Sequence, residues 1–376
     1  MLIVVPLLLL EYLGLHVIPE SIAALLELVG GILVIAGACE AFVLSVEGIA
    51  HNMHLTDYVS GIYASLASTI PELSVLTFLI LSRQYEMAWI LALATIFMNS
   101  LVFAVYTLVL PKDDHGNFQL PDAIQHVGSD LLTMGAVISL SVGLSMMLVH
   151  LFPLTENNVL IPQFLDSGEL LLFGICLIVV FIAYLYRITK YYGKCDPSSE
   201  DPYLACEIKH SPLAKSTVAV LLVIASIGAL IGGEALSSFA DYAIDVIGLP
   251  IIHAALLLVI FGGTPEYIIV ASSHRKNEIE IALSNAFGGI VQVFFVIFGF
   301  TMIASGVIGY FDPMHLGLEI LPIELYSVVL LLFAFPTLFI LRVTITDDAK
   351  INALESVAMI AVFAMMLYLL LVYGGI

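Results

Sequence analysis

Long apolar runs, interrupted by charges, prolines and short polar clusters, follow one another along almost the whole chain. A helix of about 20 apolar residues crosses the hydrocarbon core of a bilayer. Eleven stretches fit that description, near 2–18, 24–49, 56–82, 86–110, 127–152, 167–190, 214–237, 250–273, 279–304, 322–345 and 351–373. The pattern predicts an all-α polytopic membrane protein with about 11 transmembrane helices. The first run lacks a basic n-region and a small-residue cleavage site and contains Glu11, so a retained helix is expected there rather than a signal peptide.

Basic residues orient the spans. Lys112, Arg187, Lys190, Lys194, Lys209, Lys215, Arg275, Lys276, Arg342 and Lys350 fall on the same side as the N-terminus, and of the 11 bases only Arg83 falls on the other. Cytoplasmic loops collect lysine and arginine. The N-terminus is therefore expected in the cytoplasm and the C-terminus on the opposite side.

Composition narrows the class. The chain is 61% hydrophobic and 11% charged, which excludes an ordinary soluble domain and makes the lipid bilayer its surroundings. Its formal charge of −20, from 31 acids against 11 bases, argues against nucleic acid or anionic lipid as a partner and in favour of cations. Cys39 and Cys176 fall in apolar spans, Cys195 and Cys206 in one polar loop, and without a metal-ligand spacing such as C-x-x-C all four are expected as free thiols.

Two glutamates stand out because each follows a proline inside an apolar span: Glu72 in STIPEL and Glu266 in GGTPEY, 194 residues apart. The same interval separates Glu40 from Glu234 and Glu86 from Glu280. An acid at bilayer depth is expensive, on the order of 3 kcal/mol by insertion scales, and is by default a functional site. Five spans lie in each copy after the first helix. An odd number brings the second copy into the membrane from the opposite face, so an inverted-topology repeat is expected, with the substrate site near the midplane at the repeat interface. The expected division is an extra N-terminal helix at 1–19, a first five-helix repeat at 20–190, an acidic cytoplasmic loop at 191–213 and a second five-helix repeat at 214–376. That loop carries Asp196, Glu200, Asp201 and Glu207 and is either a solvated linker or a regulatory cation-binding segment.

The prolines supply the distortion that such a site needs. Within a helix, proline removes one backbone hydrogen bond and frees the carbonyl four residues earlier, here Ala67 for Pro71 and Phe261 for Pro265. Gly61, Ser65, Ser68 and Thr69 crowd the first place, Gly262, Gly263 and Thr264 the second. Freed carbonyls, hydroxyls and carboxylates form an oxygen-rich set suited to a hard cation such as Ca2+. The following helix returns a polar residue towards each glutamate, Asn99 at 27 positions beyond Glu72 and Gln292 at 26 beyond Glu266. Ser68, Thr69, Thr264 and Asn285 are further candidates for the coordination shell, and Glu40 and Glu234 for an access path or helix pairing.

Across 36–110 and 230–306 the chain resembles the calcium/cation antiporter superfamily, most closely its calcium/proton exchanger branch. The segments that carry the resemblance are ASTIPEL (67–73), GGTPEY (262–267), ATIFMN (94–99) and ALSNAFGGIVQ (282–292). The family signatures are a G-T-S-x-P-E-L or G-N-A-x-E element ending in the site glutamate, then a helix rich in glycine, serine and asparagine. The resemblance implies that Glu72 and Glu266 are the central Ca2+-binding and proton-binding carboxylates, that Asn99 assists them, and that Gln292 is similar to the glutamine of proton-coupled members. The chain departs from the pattern at Thr69 and Gly263, where G-N-A-x-E has asparagine, and at Ala94 and Gly289. The proline before each glutamate is more like sodium/calcium exchangers.

The expected function is secondary active antiport of Ca2+ against H+ by alternating access. Two facing carboxylates in a low-dielectric site cannot both remain ionised cheaply, and either one Ca2+ or two protons cancels their charge. A Na+/Ca2+ exchanger of the same fold is the alternative, and a passive cation channel the alternative from another class. Three Na+ would need more ligands than the sequence offers. An enzyme is not expected: His51 and His54 in HNMH lack the glutamate of H-E-x-x-H, and neither a G-x-S-x-G element nor a P-loop occurs. No cofactor is expected; Ca2+, with H+ or Na+, is cargo.

Overall fold

The computed structural model describes residues 19–53, 55–152, 155–156, 159–160, 164–193, 214–311, 321–322 and 325–373. The span expected at 2–18 and most of the acidic loop, with Cys195 and Cys206, lie outside them. The helices are α1 (Glu20–Asn52), α2 (Asp57–Ser68), α3 (Ile70–Leu81), α4 (Tyr85–Val109), α5 (Ser129–Leu151), α6 (Ser167–Tyr192), α7 (Lys215–Asp245), α8 (Ile251–Gly262), α9 (Thr264–Arg275), α10 (Ile279–Gln292), α11 (Phe298–Phe311), α12 (Leu325–Thr346) and α13 (Ala353–Tyr373). Among the described residues nine helical stretches are long and apolar enough to cross a membrane, α2–α3, α8–α9 and α10–α11 each counting once, with a shorter apolar stretch at Ala353–Leu369. The protein is an all-α polytopic membrane protein.

Most spans begin and end within a few residues of the hydrophobic pattern. The exceptions are extensions. α7 continues to Asp245 rather than stopping near 237, because the helix persists through the polar stretch Ser237–Asp245 after the apolar run has ended. α11 carries the ninth span to Phe311, beyond a π-turn at Val293–Ile297 that composition does not announce.

Helix ends keep the 194-residue register around both proline–glutamate pairs, where the sequence likeness is faint. α2 and α8 start and stop 194 residues apart, and so do α3 and α9. The turns that follow also match: Arg83 has φ 64° and Asn277 has φ 62°, again at that interval. A left-handed conformation costs a non-glycine residue about 1–2 kcal/mol, so placing it at the same point twice marks a shared turn geometry. Glu86 and Glu280 fall in the first turns of α4 and α10, where a carboxylate is favoured by the helix dipole. That accounts for their matched spacing without a role in ion binding.

The chain forms two compact units, each drawing on both halves of the sequence. One holds α1, α2, α3 to Leu79, α7, α8, α9 and α10 as far as Asn285. Its two longest helices, α1 and α7, meet on small residues. A Cβ at Gly232 would lie 2.6 Å from Ile35 Cγ1 and 3.1 Å from the Gly31 carbonyl oxygen, and one at Gly228 would lie 3.1 Å from Ala38 Cβ. Alanines continue the seam: Ala38, Ala41, Ala67, Ala225 and Ala229 pack with Phe42 in one buried cluster. In a bilayer, where lipid is as apolar as leucine, such close backbone approach is what holds helices together.

The other unit holds the end of α3, α4, α5, α6, α10 from Ala286, and α11 to α13. It packs by the same rule, with Gly174 against the backbone of Gly299 and Ile303, and Gly143 against Leu332. Aromatic edges fill its centre, as where Trp89 meets Phe298 at a centroid distance of 4.7 Å.

A short antiparallel pairing of Asn117–Gln119 with Lys350–Asn352 closes one end of this second unit. Asp113 organises the turn before it, its Oδ1 accepting from the amides of Asn117 at 2.8 Å and His115 at 2.9 Å. The Asn117 amide above all, then that of His115, holds the Asp113 carboxyl below its usual range. A depressed carboxylate stabilises the fold above its unfolded pKa, about 4, and loses that contribution as the pH falls through the folded value. Amide exchange at His115 and Asn117 is therefore expected to accelerate relative to neighbouring amides below about pH 4. Unchanged protection of both amides at acid pH would rule the turn out as the pH-sensitive element.

Candidate functional site: two broken helices and their carboxylates

Both spans that carry a proline–glutamate pair are broken at the same place. α2 ends at Thr69 (φ −79°, ψ −14°) and α8 ends at Gly263 (φ −76°, ψ −9°). In each, the amide of the joint residue turns back on itself, from Thr69 to Ser65 and Ala67 and from Gly263 to Val259 and Phe261. Ala67 and Phe261 are the carbonyls that proline leaves without their ordinary amide partner. The next helix then starts at once, with Glu72 and Glu266 in the first turns of α3 and α9. The break thus gives each carboxylate the positive end of a new helix dipole. The terminal carbonyls of the preceding half-helix lie just before it.

The first unit contains both carboxylates, and they are close enough to interact electrostatically. Glu266 is 5% exposed, and Ser68 Oγ, at the break of the other repeat, lies 3.5 Å from its Oε1. Glu72 is half-buried, and its Oε2 is shielded from solvent with no hydrogen-bond partner among the described residues. Ser68, Thr69 and Thr264 spend their protons locally, on the carbonyls of Ser65 at 2.7 Å, Leu66 at 2.8 Å and Ile260 at 3.1 Å. A hydroxyl that donates to a carbonyl keeps its lone pairs for another partner, as a cation ligand must.

Asn285 belongs to the same unit. Ser65 Oγ donates to its backbone carbonyl at 3.4 Å, and Gly61 lets α2 approach Ser284 and Ile281 of α10. Its side chain is 1% exposed, yet neither Oδ1 nor Nδ2 has a hydrogen-bond partner among the described residues. Leaving such a group unsatisfied costs about 1–3 kcal/mol, which makes Asn285 a stronger ligand candidate than its sequence position suggested.

Asn99 and Gln292 are buried in the second unit, on α4 and at the end of α10. Gln292 directly precedes the π-turn, a helix irregularity common at functional positions. Glu40 is exposed on α1 and Glu234 half-buried on α7. Cys39 and Cys176 are free thiols, the first buried and the second exposed. Two residues near the breaks carried no sequence signal of their own: Cys39, packed with Val43, Ala64 and Ile269, and Tyr267, next to Glu266. For Tyr267 the available clue was asymmetry, since Leu73 occupies the matching position in the first repeat.

Among the described residues no three His, Cys, Asp or Glu side chains converge as a metal cluster. The oxygen atoms near the breaks in this unit are instead those of two carboxylates, hydroxyls, the Asn285 amide and backbone carbonyls. The family model for sodium/calcium exchanger protein matches residues 23–190 and 217–372, which is most of the chain.

The chain belongs to the sodium/calcium exchanger protein family.

Solved exchangers share its fold. An H+/Ca2+ exchanger, CAX, superposes with a TM-score of 0.69 at 16% identity, over 98% of this chain and 87% of that one. The sodium-calcium exchanger NCX_Mj, from crystals soaked with 10 mM Na+ and 10 mM Sr2+, gives a TM-score of 0.59 at 15% identity, over 92% of this chain and 98% of that one. A second crystal of NCX_Mj, soaked in 2.5 mM Na+ and 0.1 mM Ca2+, matches with a TM-score of 0.58 at 16% identity, covering 92% and 97% of the respective chains. No curated protein sequence matches the chain significantly. The membership makes this chain a membrane exchanger, while the fold is common to proton- and sodium-coupled proteins.

Proposed function

We propose that the protein exchanges Ca2+ for H+ across the membrane by alternating access, with Glu72 and Glu266 carrying the cation in one direction and protons in the other. The observation that carries this reading is the pair of matched helix breaks, each followed by a carboxylate in the same unit, with Ser68 of one repeat beside Glu266 of the other. A Ca2+ held between two carboxylates is neutralised, and so is the same site holding two protons. The empty, doubly charged site is costly to occlude in a low dielectric. Net return without cargo is therefore suppressed, and exchange becomes obligatory.

Ser68, Thr69, Thr264 and Asn285 complete the oxygen shell in this reading. Asn99 and Gln292, in the second unit, enter this reading only through their spacing from the glutamates in the sequence. Glu40 and Glu234 line the approach. Protons are favoured over Na+ because two carboxylates with neutral oxygens suffice for one divalent ion, whereas three Na+ call for more anionic ligands than the described residues bring together.

Uptake of calcium-45 into proteoliposomes distinguishes the readings. A proton gradient alone is expected to drive accumulation, with release of protons in step, and a sodium gradient alone is not. Accumulation driven only by Na+ would make the protein a Na+/Ca2+ exchanger, and flux that follows the calcium gradient with neither counter-ion would make it a channel.

A further inference from the structure

A further hydroxyl stands at the second break. Tyr267 lies one helical turn beyond Gly263, and side chains on a helix lean towards its N-terminus. The phenol therefore folds back over the joint. A Cβ at residue 263 would sit 2.8 Å from Tyr267 Cζ and closer still to Oη, so only glycine leaves room for the ring. Oη is shielded from solvent and has no hydrogen-bond partner among the described residues. Buried phenols normally find one.

The first repeat handles the same place differently. Thr69 and Leu73 stand where the second repeat has Gly263 and Tyr267. Thr69 puts a hydroxyl on the joint itself and commits its proton to the Leu66 carbonyl at 2.8 Å. Exchanging Thr and Leu for Gly and Tyr keeps one hydroxyl across these two matched positions, delivered in the second repeat from a turn further on. The phenol's proton is uncommitted. Glu266 precedes Tyr267 in the first turn of α9, and Glu72 belongs to the same unit.

We propose that Tyr267 Oη is a ligand of the transported divalent cation, reaching over Gly263 to the break. The inference rests on the assignment of Glu72 and Glu266 as the carboxylates that hold the ion. Without a cation the phenol oxygen has no hydrogen-bond partner among the described residues; with the cation bound, its lone pairs turn to the metal. The site is then lopsided, with the second repeat contributing a phenol where the first contributes threonine.

Purified full-length protein titrated with Ca2+ by calorimetry tests this. Tyr267→Phe keeps the ring and removes the oxygen, and is expected to weaken Ca2+ binding about tenfold, the scale of one lost bond to a charged group. Transport should show the same rise in KM with a maximal rate close to that of the parent. Gly263→Ala, which pushes the phenol off the joint, should weaken binding similarly, and the double variant no further than either single one. Tb3+ bound in place of Ca2+ should lose tyrosine-sensitised emission in Tyr267→Phe. Unchanged Ca2+ affinity in Tyr267→Phe overturns the proposal, as do fully additive effects of the two substitutions. Glu266→Gln separates the two levels: normal Ca2+ binding there defeats the carboxylate assignment itself, whereas loss there with a normal Tyr267→Phe defeats only the tyrosine's role.

Discussion

Glutamine in place of Glu72 or Glu266 is expected to abolish gradient-driven calcium uptake, lowering the rate by a factor on the order of 100 or more. The size follows from charge rather than shape, because glutamine keeps the volume and an amide oxygen. At an effective dielectric of about 20, unit charges about 4 Å apart interact by about 4 kcal/mol, and a divalent ion by more. Each 1.4 kcal/mol or so is a factor of ten in affinity. The proton half-cycle fails too, since the amide does not titrate in this range. Glu86→Gln and Glu280→Gln serve as matched controls, being acids at the same interval but in first turns of helices that follow the turns at Arg83 and Asn277 rather than the breaks. They are expected to keep most of the transport. Calcium-45 uptake in proteoliposomes at equal protein density reads all four, and full activity in either site variant would remove the two-carboxylate mechanism.

The breaks explain how two acids can sit at such depth at all. An unbroken helix would present each carboxylate on a uniform surface of apolar side chains. Breaking it at Thr69 and Gly263 begins a new helix directly after each joint, and the dipole of that new helix favours the anion. The preceding half-helix ends in carbonyls that favour a cation. Proline at the second position of the new helix, Pro71 or Pro265, stabilises this arrangement, because its missing amide has no partner to lose there.

This much was legible in the sequence. Proline, glycine and glutamate leave direct marks, and the 194-residue register located the second break from the first. Helix positions were legible for the same reason, since a span needs its apolar length. Other features leave no mark of that kind. The π-turn at Val293–Ile297 is built from ordinary apolar residues, and α7 continues to Asp245 through residues whose polarity suggested an end. Which polar residues share a unit with the carboxylates was not legible from spacing. Spacing from the glutamates picked out Asn99 and Gln292, and Asn285 was named beside them; that Asn285 shares a unit with the carboxylates follows from the packing of α2 on α10 through Gly61 and Ser65. Close backbone approach between distant segments has no local signature beyond a small residue, and small residues are common in membrane helices.

Such an approach underlies the second large effect. Consecutive glycines of α7 serve two contacts, Gly232 facing α1 and Gly233 facing α3. A Cβ at Gly233 would fall 2.8 Å from Ser74 Cβ, 2.9 Å from the Ser74 carbonyl carbon and 2.9 Å from the Val75 amide nitrogen. Two of these are backbone atoms, which cannot swing aside as a flexible side chain does. Ser74 lies about half a turn beyond Glu72, so any movement that relieves the clash also moves the carboxylate. Gly233→Ala is expected to destabilise the protein by about 1–3 kcal/mol, the usual range for overpacking, and to slow transport about tenfold through a displaced α3, since errors near 1 Å suffice for larger losses at a reactive site. Gly233→Leu has no tolerable arrangement and should not accumulate as folded protein. Gly262→Ala supplies the contrast: it stands at the other break, but nothing lies within 4 Å of the place its Cβ would take, so its melting temperature should match the parent's. Thermal unfolding in detergent together with calcium uptake reads both substitutions, and a Gly233→Leu protein that folds and transports normally would mean that α3 does not depend on α7 for its position.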